Sequence, residues 1–252
     1  MNKEQILYED HEMIVCYKPA GCATQTAKIG QPDMVSMAAN YLNASKENVP
    51  GRVSGGQNAK QPYVGLVHRL DQPVEGVLVL AKNQKAAAAL SRQITENRME
   101  KYYYAAVCME NMPGQPQVLS EGTLTDYLNK DAGTNTSCVV TKEHRGAKKA
   151  ELSYKIIERK FFNEDAGTQA ALAEIKLITG RHHQIRVQMS HAGMGLLGDW
   201  KYAGEKARRL SDLLQPKQIA LCAYKLSFYH PVTNRPLTFQ IKPKGEIFQN
   251  FL

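Results

Sequence analysis

Apolar positions along the chain fall in short blocks separated by polar, turn-forming segments, and the spacing within the blocks predicts both strands and helices. Met13 to Tyr17 is one such block, stopped by Lys18-Pro19-Ala20-Gly21, the pattern of a strand running into a turn. Val77 to Ala81 is apolar at every position, which predicts a strand covered on both faces. Tyr63 to Val67 forms a shorter apolar stretch, and between these two lies the polar His68-Arg69-Leu70-Asp71. From Asn83 the period changes. Ala86, Leu90 and Ile94 recur four apart, predicting a helix capped by Asn83 and running through Arg98, whose charge suits a helix C-terminus.

Tyr102 to Val107, Glu151 to Glu158 and Ala171 to Thr179 predict further strands, the last with Ala173, Ile175, Leu177 and Thr179 on one face. His182 to Ala192 predicts a second helix with Ile185, Met189 and Ala192 inward and Gly193 as its stop. Ile219 to Phe228 and Leu237 to Ile241 predict a hairpin around His230 to Pro236. Asn43 to Pro62 is polar, Gly-rich and without period, which predicts a long mobile loop inside a single domain rather than a linker between two. Strands mixed with helices make the fold class α/β or α+β.

Composition narrows this picture modestly. With 252 residues, 43% of them hydrophobic, the chain can bury one substantial core. It contains no apolar run of about 18 residues, and Met1 to Asp10 lacks the apolar centre of a signal peptide, so a cytoplasmic location with no membrane attachment is the default expectation. Cys16, Cys22, Cys108, Cys138 and Cys222 are odd in number and never form a C-x-x-C pair, which argues against a disulfide framework or a zinc site. Lys and Arg outnumber Asp and Glu by 32 to 24, a net charge of +8 that suits a polyanionic partner and equally suits a solvated basic surface.

Four polar clusters interrupt the apolar structure: Lys18 to Gly21, His68 to Asp71, the tyrosines Tyr102 to Tyr104, and Gly180 to Arg186. A His, an Arg and an Asp set between two apolar runs are costly to desolvate unless paired or facing a cleft, so a structural ion pair and a functional site remain equally open. His182, His183 and His191 lack neighbouring Cys or carboxylate ligands, and no metal site is expected. No G-x-S-x-G elbow occurs, and Gly55-Gly56 lacks the strand-to-helix context of a methyltransferase cofactor loop.

Several separate segments nevertheless carry a specific likeness. GLVHRLDQPVEGVLVLAK and LITGRHHQIRVQMSHAGMGLLGDWKYAG, with weaker echoes in Asp10 to Gly21, Lys101-Tyr102-Tyr103 and Leu226 to Pro231, resemble the RluA-type family of pseudouridine synthases over nearly the whole chain. This chain departs from the family pattern in having Val74-Glu75 for Thr-Ser, Gln188 for His and Cys222 for His.

The resemblance implies an α+β catalytic fold, with a central mixed, mostly antiparallel sheet, flanking helices and a central cleft. It leaves no room for the small N-terminal S4 domain of some relatives. It implies an isomerase that turns uridine into pseudouridine in ribosomal or transfer RNA, with no cofactor, no obligate protein partner and a monomeric state. Asp71 would be the catalytic carboxylate, acting as a nucleophile on sugar or base or as a base in a glycal-type path. Arg186 would pair with it, and Tyr103 would stack on uracil with its phenol near the departing C5 proton, core packing being the expectation for Tyr102 and Tyr104. Arg69 would fill the gap left by the flipped base or else contact phosphate at the surface, His68 would support the loop, Ile185 would pack in the core or line the uracil pocket, and Arg181 would contact substrate.

Overall fold

In the computed structural model, which describes residues 1–26, 28, 30–47, 61–109, 119–163 and 168–252, the chain forms two compact units. Unit 1 comprises Met1–Met99 and Lys225–Ile241, and unit 2 comprises Glu100–Tyr224 and Lys242–Leu252.

Unit 1 opens with β1 (Ile6–Glu9) and β2 (Met13–Lys18), followed by α1 (Met34–Glu47), β3 (Gly65–Leu66), β4 (Glu75–Ala81) and α2 (Gln84–Thr95). β2 pairs antiparallel with β1 and β4, and β3 pairs antiparallel with β4. Every residue of β2 and β4 is buried because both faces are covered. Met13, Val15, Val77 and Val79 pack with Ala86 and Leu90 of α2, while Ile14, Cys16, Leu78 and Leu80 pack with Met34, Ala38 and Leu42 of α1. At about 25 cal/mol per Å² of apolar surface, this two-sided burial is the main force holding the unit together.

Two sequence expectations need correction here. The polar segment from Asn43 does not begin as a loop: α1 continues to Glu47, starting after Asp33, whose carboxylate accepts the N–H of Ser36 at 2.7 Å as an N-cap. Residues 48–60 of the expected mobile loop lie outside the described residues. α2 starts as expected, with Asn83 accepting the N–H of Ala86 at 2.8 Å, but stops at Thr95. Asn97 takes a left-handed φ of 54°, and Arg98 leaves the helix to lie 4.6 Å from the Tyr229 ring.

Unit 2 contains β5 (Glu100–Met109), β6 (Glu121–Asp131), β7 (Thr136–Val140), β8 (Lys148–Asn163), β9 (Thr168–Leu177), α3 (Gln184–His191), β10 (Met194–Leu196) and α4 (Glu205–Leu214). β5 pairs with β9 and β10, β9 with β8, β8 with β6, and β6 with β7, all antiparallel. α3 begins two residues later than the period predicts, because His183 adopts φ 53° and does not enter the helix. It is also buried from Gln184 through Met189, not only along its apolar stripe, so the polar Gln184, Arg186 and Gln188 must find partners inside.

The chain leaves unit 2 within β11 (Leu221–Tyr229), and residues Lys225 to Tyr229 pair antiparallel with β12 (Pro236–Gln240). Leu226 and Phe228, with Leu237, Phe239 and Ile241 beside them, complete the core on the α2 side of unit 1. The class is α+β, a mixed, mostly antiparallel sheet with flanking helices; the ladders described are antiparallel, and the isolated parallel bridge Ala23–Asp33 lies outside the strands. Among the described residues no helix is long and apolar enough to cross a membrane.

Candidate functional site

In unit 1 the polar segment His68 to Asp71 lies between β3 and β4, and a second turn, residues 18–25 at the end of β2, is bonded to it. The backbone N–H of Leu70 donates to Oγ1 of Thr24 at 3.1 Å, and that hydroxyl donates back to the Leu70 carbonyl at 2.8 Å. The Gln72 carbonyl accepts the N–H of Gly21 at 2.9 Å, an approach made possible by the left-handed φ of 82° at Gly21. The Gln72 amide donates to the Gly21 carbonyl at 3.1 Å. Asp71 therefore sits between two residues whose backbones are tied to the same turn, and its own carbonyl accepts the N–H of Val74 at 3.0 Å.

Lys18 binds this assembly from inside. It is fully buried, and its ammonium donates to the carbonyls of Pro19 (3.1 Å), Cys22 (2.6 Å) and Gln72 (3.1 Å), three acceptors for three protons. Desolvation pushes its pKa down to about 8, opposed by the nearby Cys22, Asp71 and Glu75. Glu75, where the family pattern has Ser, is also fully buried and accepts the Tyr17 hydroxyl at 2.7 Å. His68 accepts the N–H of Val79 at Nε2 (3.3 Å), which assigns a neutral ring with its proton on Nδ1. Arg69 is exposed, with Nη2 donating to Oε1 of Gln25 at 3.0 Å.

In unit 2 the centre of the polar network is Arg186 on α3. Its Nε and Nη2 donate to the two carboxylate oxygens of Asp199 at 2.7 and 2.8 Å, a bidentate fork with both partners buried. The guanidinium lies 4.9 Å from the ring centre of Tyr202. Asp199 Oδ1 also accepts the N–H groups of Lys201 (3.0 Å) and Tyr202 (3.3 Å), so one carboxylate shapes the turn and aims the arginine. The Tyr202 hydroxyl accepts the N–H of Ser137 at 2.9 Å and lies within hydrogen-bond distance, 2.6 Å, of Nδ1 of His183. His182 and His183 stack at 3.7 Å. Desolvation and the charges of Lys130, Lys201 and Arg186 push their pKa values down to about 4 and about 3, so both rings are neutral at physiological pH.

Tyr103 is buried in β5 opposite Ile175, while Tyr102 lies near Lys176 and donates to Glu100, and Tyr104 stacks on Tyr224 at 3.8 Å. Tyr103 is thus the most enclosed of the three, where core packing was expected for its neighbours. Ile185 is buried on α3, and exposed Arg181 donates from Nε to the Lys149 carbonyl at 2.8 Å. Gln188, at the family's His position, donates to Asp126 (2.7 Å) and accepts from Gln184 (2.9 Å).

The expected site residues thus divide into His68, Arg69 and Asp71 in unit 1 and Tyr103, Arg181, Ile185 and Arg186 in unit 2. Sequence reasoning missed Lys18, Thr24, Asp199 and Tyr202 as members of these networks. Lys18 stands in a recognised polar turn and Asp199 in the L-L-G-D stretch, but nothing in their spacing reveals bonds to residues 54 and 13 positions away. Among the described residues no group of three or more His, Cys, Asp or Glu is arranged to hold a metal ion.

Comparison with known proteins adds to this geometry. A family profile described as RNA pseudouridylate synthase matches residues 12–191. "Ribosomal large subunit pseudouridine synthase D" of Zymomonas mobilis is 31% identical over 241 residues, spanning 93% of this chain and 68% of that protein. "Dual-specificity RNA pseudouridine synthase RluA" of Vibrio parahaemolyticus is 28% identical over 235 residues, spanning 90% and 78%. Among solved structures, "Human RNA Pseudouridylate Synthase Domain Containing 4" superposes with a TM-score of 0.65 at 22% identity, covering 96% of this chain and 89% of that one.

Proposed function

Because this chain belongs to the RluA-type family of RNA pseudouridine synthases and is therefore an isomerase, we propose that it converts uridine to pseudouridine in ribosomal or transfer RNA through the carboxylate of Asp71. The observation that carries the assignment is the anchoring on either side of Asp71, Leu70 to Thr24 and Gln72 to Gly21 and Lys18. A carboxylate that must meet one atom of a flipped nucleotide gains rate from such pre-set geometry.

The reaction is an internal exchange. The bond from C1′ to N1 breaks, the uracil turns, C5 bonds to C1′, the C5 proton departs and N1 acquires one. Asp71 acts either as a nucleophile or as a base on the sugar. Tyr103 stacks on the uracil with its phenol near the C5 proton, and Ile185 lines the pocket. Arg186, whose Nε and Nη2 are held by Asp199, keeps the expected role of pairing with Asp71 so that its carboxyl stays ionised. Arg69 enters the space vacated by the extruded base, His68 supports the loop beneath it, and Arg181 meets phosphate.

Tritium release from RNA carrying 5-tritiated uridine measures the departing C5 proton. Asp71→Asn keeps the shape of the side chain and removes its charge, so release should stop while RNA binding is retained. Measurable release by purified Asp71→Asn overturns the assignment. Retained binding with no release from the parent protein on any cellular RNA would instead indicate a binding protein on this scaffold. Mapping pseudouridines in RNA from a strain lacking the gene, beside its parent, identifies the target.

A further inference from the structure

Trp200, the single tryptophan of the chain, leaves 54% of its surface exposed. An isolated exposed apolar side chain needs no explanation by itself; the setting of this one does. Its backbone lies in the turn that Asp199 holds through the N–H groups of Lys201 and Tyr202, and the same carboxylate clamps Arg186. The indole is therefore presented from a fixed backbone one residue away from the arginine's clamp.

The surroundings are cationic. The Lys201 ammonium reaches the carbonyls of Thr134 (3.4 Å) and Asn135 (2.7 Å) at the tip of the β6–β7 hairpin, using two of its three protons. Lys130 on β6, Lys201 and Arg186 all bear on His182 and His183. The acid at the hairpin tip, Asp131, accepts from the N–H of Gly133 and the hydroxyl of Thr134 and stays ionised, one negative charge among these cations. Below the turn, Tyr202 and Ser137 join it to β7. An exposed aromatic side chain on a fixed turn, next to Lys201 in the chain and on the same network of cations that acts on His182 and His183, suits the holding of unpaired nucleotides, the ring taking the base and the ammonium groups taking the phosphates.

We propose that Trp200 is a stacking platform for an unpaired base of the RNA substrate, with Lys130 and Lys201 binding flanking phosphates. This rests on the RNA-modifying function above and adds a contact outside the residues assigned there.

Because Trp200 is the only tryptophan, its emission reports on the contact directly. Fluorescein-labelled oligouridylate of eight nucleotides is titrated at low salt, with anisotropy measuring binding and tryptophan emission measuring the stack. Saturable quenching that tracks the anisotropy is expected. Trp200→Ala should weaken binding about ten-fold, Trp200→Phe should restore most of it, and Lys201→Ala should lower the salt slope by about 0.7. Unchanged emission while anisotropy rises, absence of oligouridylate binding, or parental affinity in Trp200→Ala each overturn the platform. Tritium release separates this from the function itself. Release with silent emission refutes the platform alone, whereas saturable quenching without release from any RNA upholds the platform and refutes the isomerase.

Discussion

Lys18 shows how one side chain can govern a loop that it does not belong to. Its ammonium, wholly out of water, is satisfied by three carbonyls, and one of them is the residue after Asp71. With the folded pKa lowered from 10.5 to about 8, the unfolded chain holds this proton more tightly. The contribution of Lys18 to stability therefore rises with pH between those two values. Function should move the other way, because the neutral amine loses a donor and the positive charge beside Asp71. The single-turnover rate is expected to fall on the alkaline side with a midpoint near 8, without a matching loss of thermal stability. Lys18→Met should be slow at neutral pH and should lack that alkaline limb. A rate that is flat from 8 to 10.5 in the parent protein would exclude the role.

Between elements, the decisive contact is the Thr24 hydroxyl, which gives and takes a hydrogen bond with the same residue, Leu70. Thr24→Val keeps the branched shape and strands both backbone groups of a buried residue. It should cost roughly 1–3 kcal/mol of stability and lower the turnover rate more than RNA affinity, as denaturant midpoints and single-turnover kinetics can determine. The elements themselves were unequally legible in the sequence. β2 and β4 declare themselves because burial on two faces demands unbroken apolar runs, and α2 does so because its cap and its four-residue spacing agree. α1 carries Met34, Ala38 and Leu42 at helical spacing, yet its polar second half merges into the Gly-rich text beyond it. β6 and β7 are half-buried or exposed at all but one position each, so little apolar alternation marks them. The candidate site was legible where polar residues break apolar runs, as at His68 to Asp71. It was invisible where a bond joins distant positions, as between Lys18 and Gln72 or between Arg186 and Asp199.

At the scale of the whole molecule, the net charge of +8 sets how the protein meets RNA. Each lysine or arginine seated on a phosphate of single-stranded RNA releases counterions, so the slope of log affinity against log salt is about −0.7 per contact. With about four such contacts, a four-fold rise in salt should weaken binding roughly 50-fold, which filter binding across a salt series can check. Affinity that is indifferent to salt would mean that the basic excess serves solubility alone.

The return of the chain from unit 2 to unit 1 within β11 governs the order in which the protein can be made. Met13, Val15, Val77 and Val79 share their core with Leu226 and Phe228, which emerge from the ribosome only after the whole of Glu100–Tyr224. A growing chain therefore carries an unsealed first unit, its apolar face open to chaperones or to other nascent chains, throughout synthesis of Glu100–Tyr224. The loop that bears Asp71 is translated early, but the core beside its strand closes only when Lys225–Ile241 arrives. Synthesis through Ile241 thus becomes a precondition for a closed first unit, and products of translation interrupted before it are left with an open core that quality control can recognise.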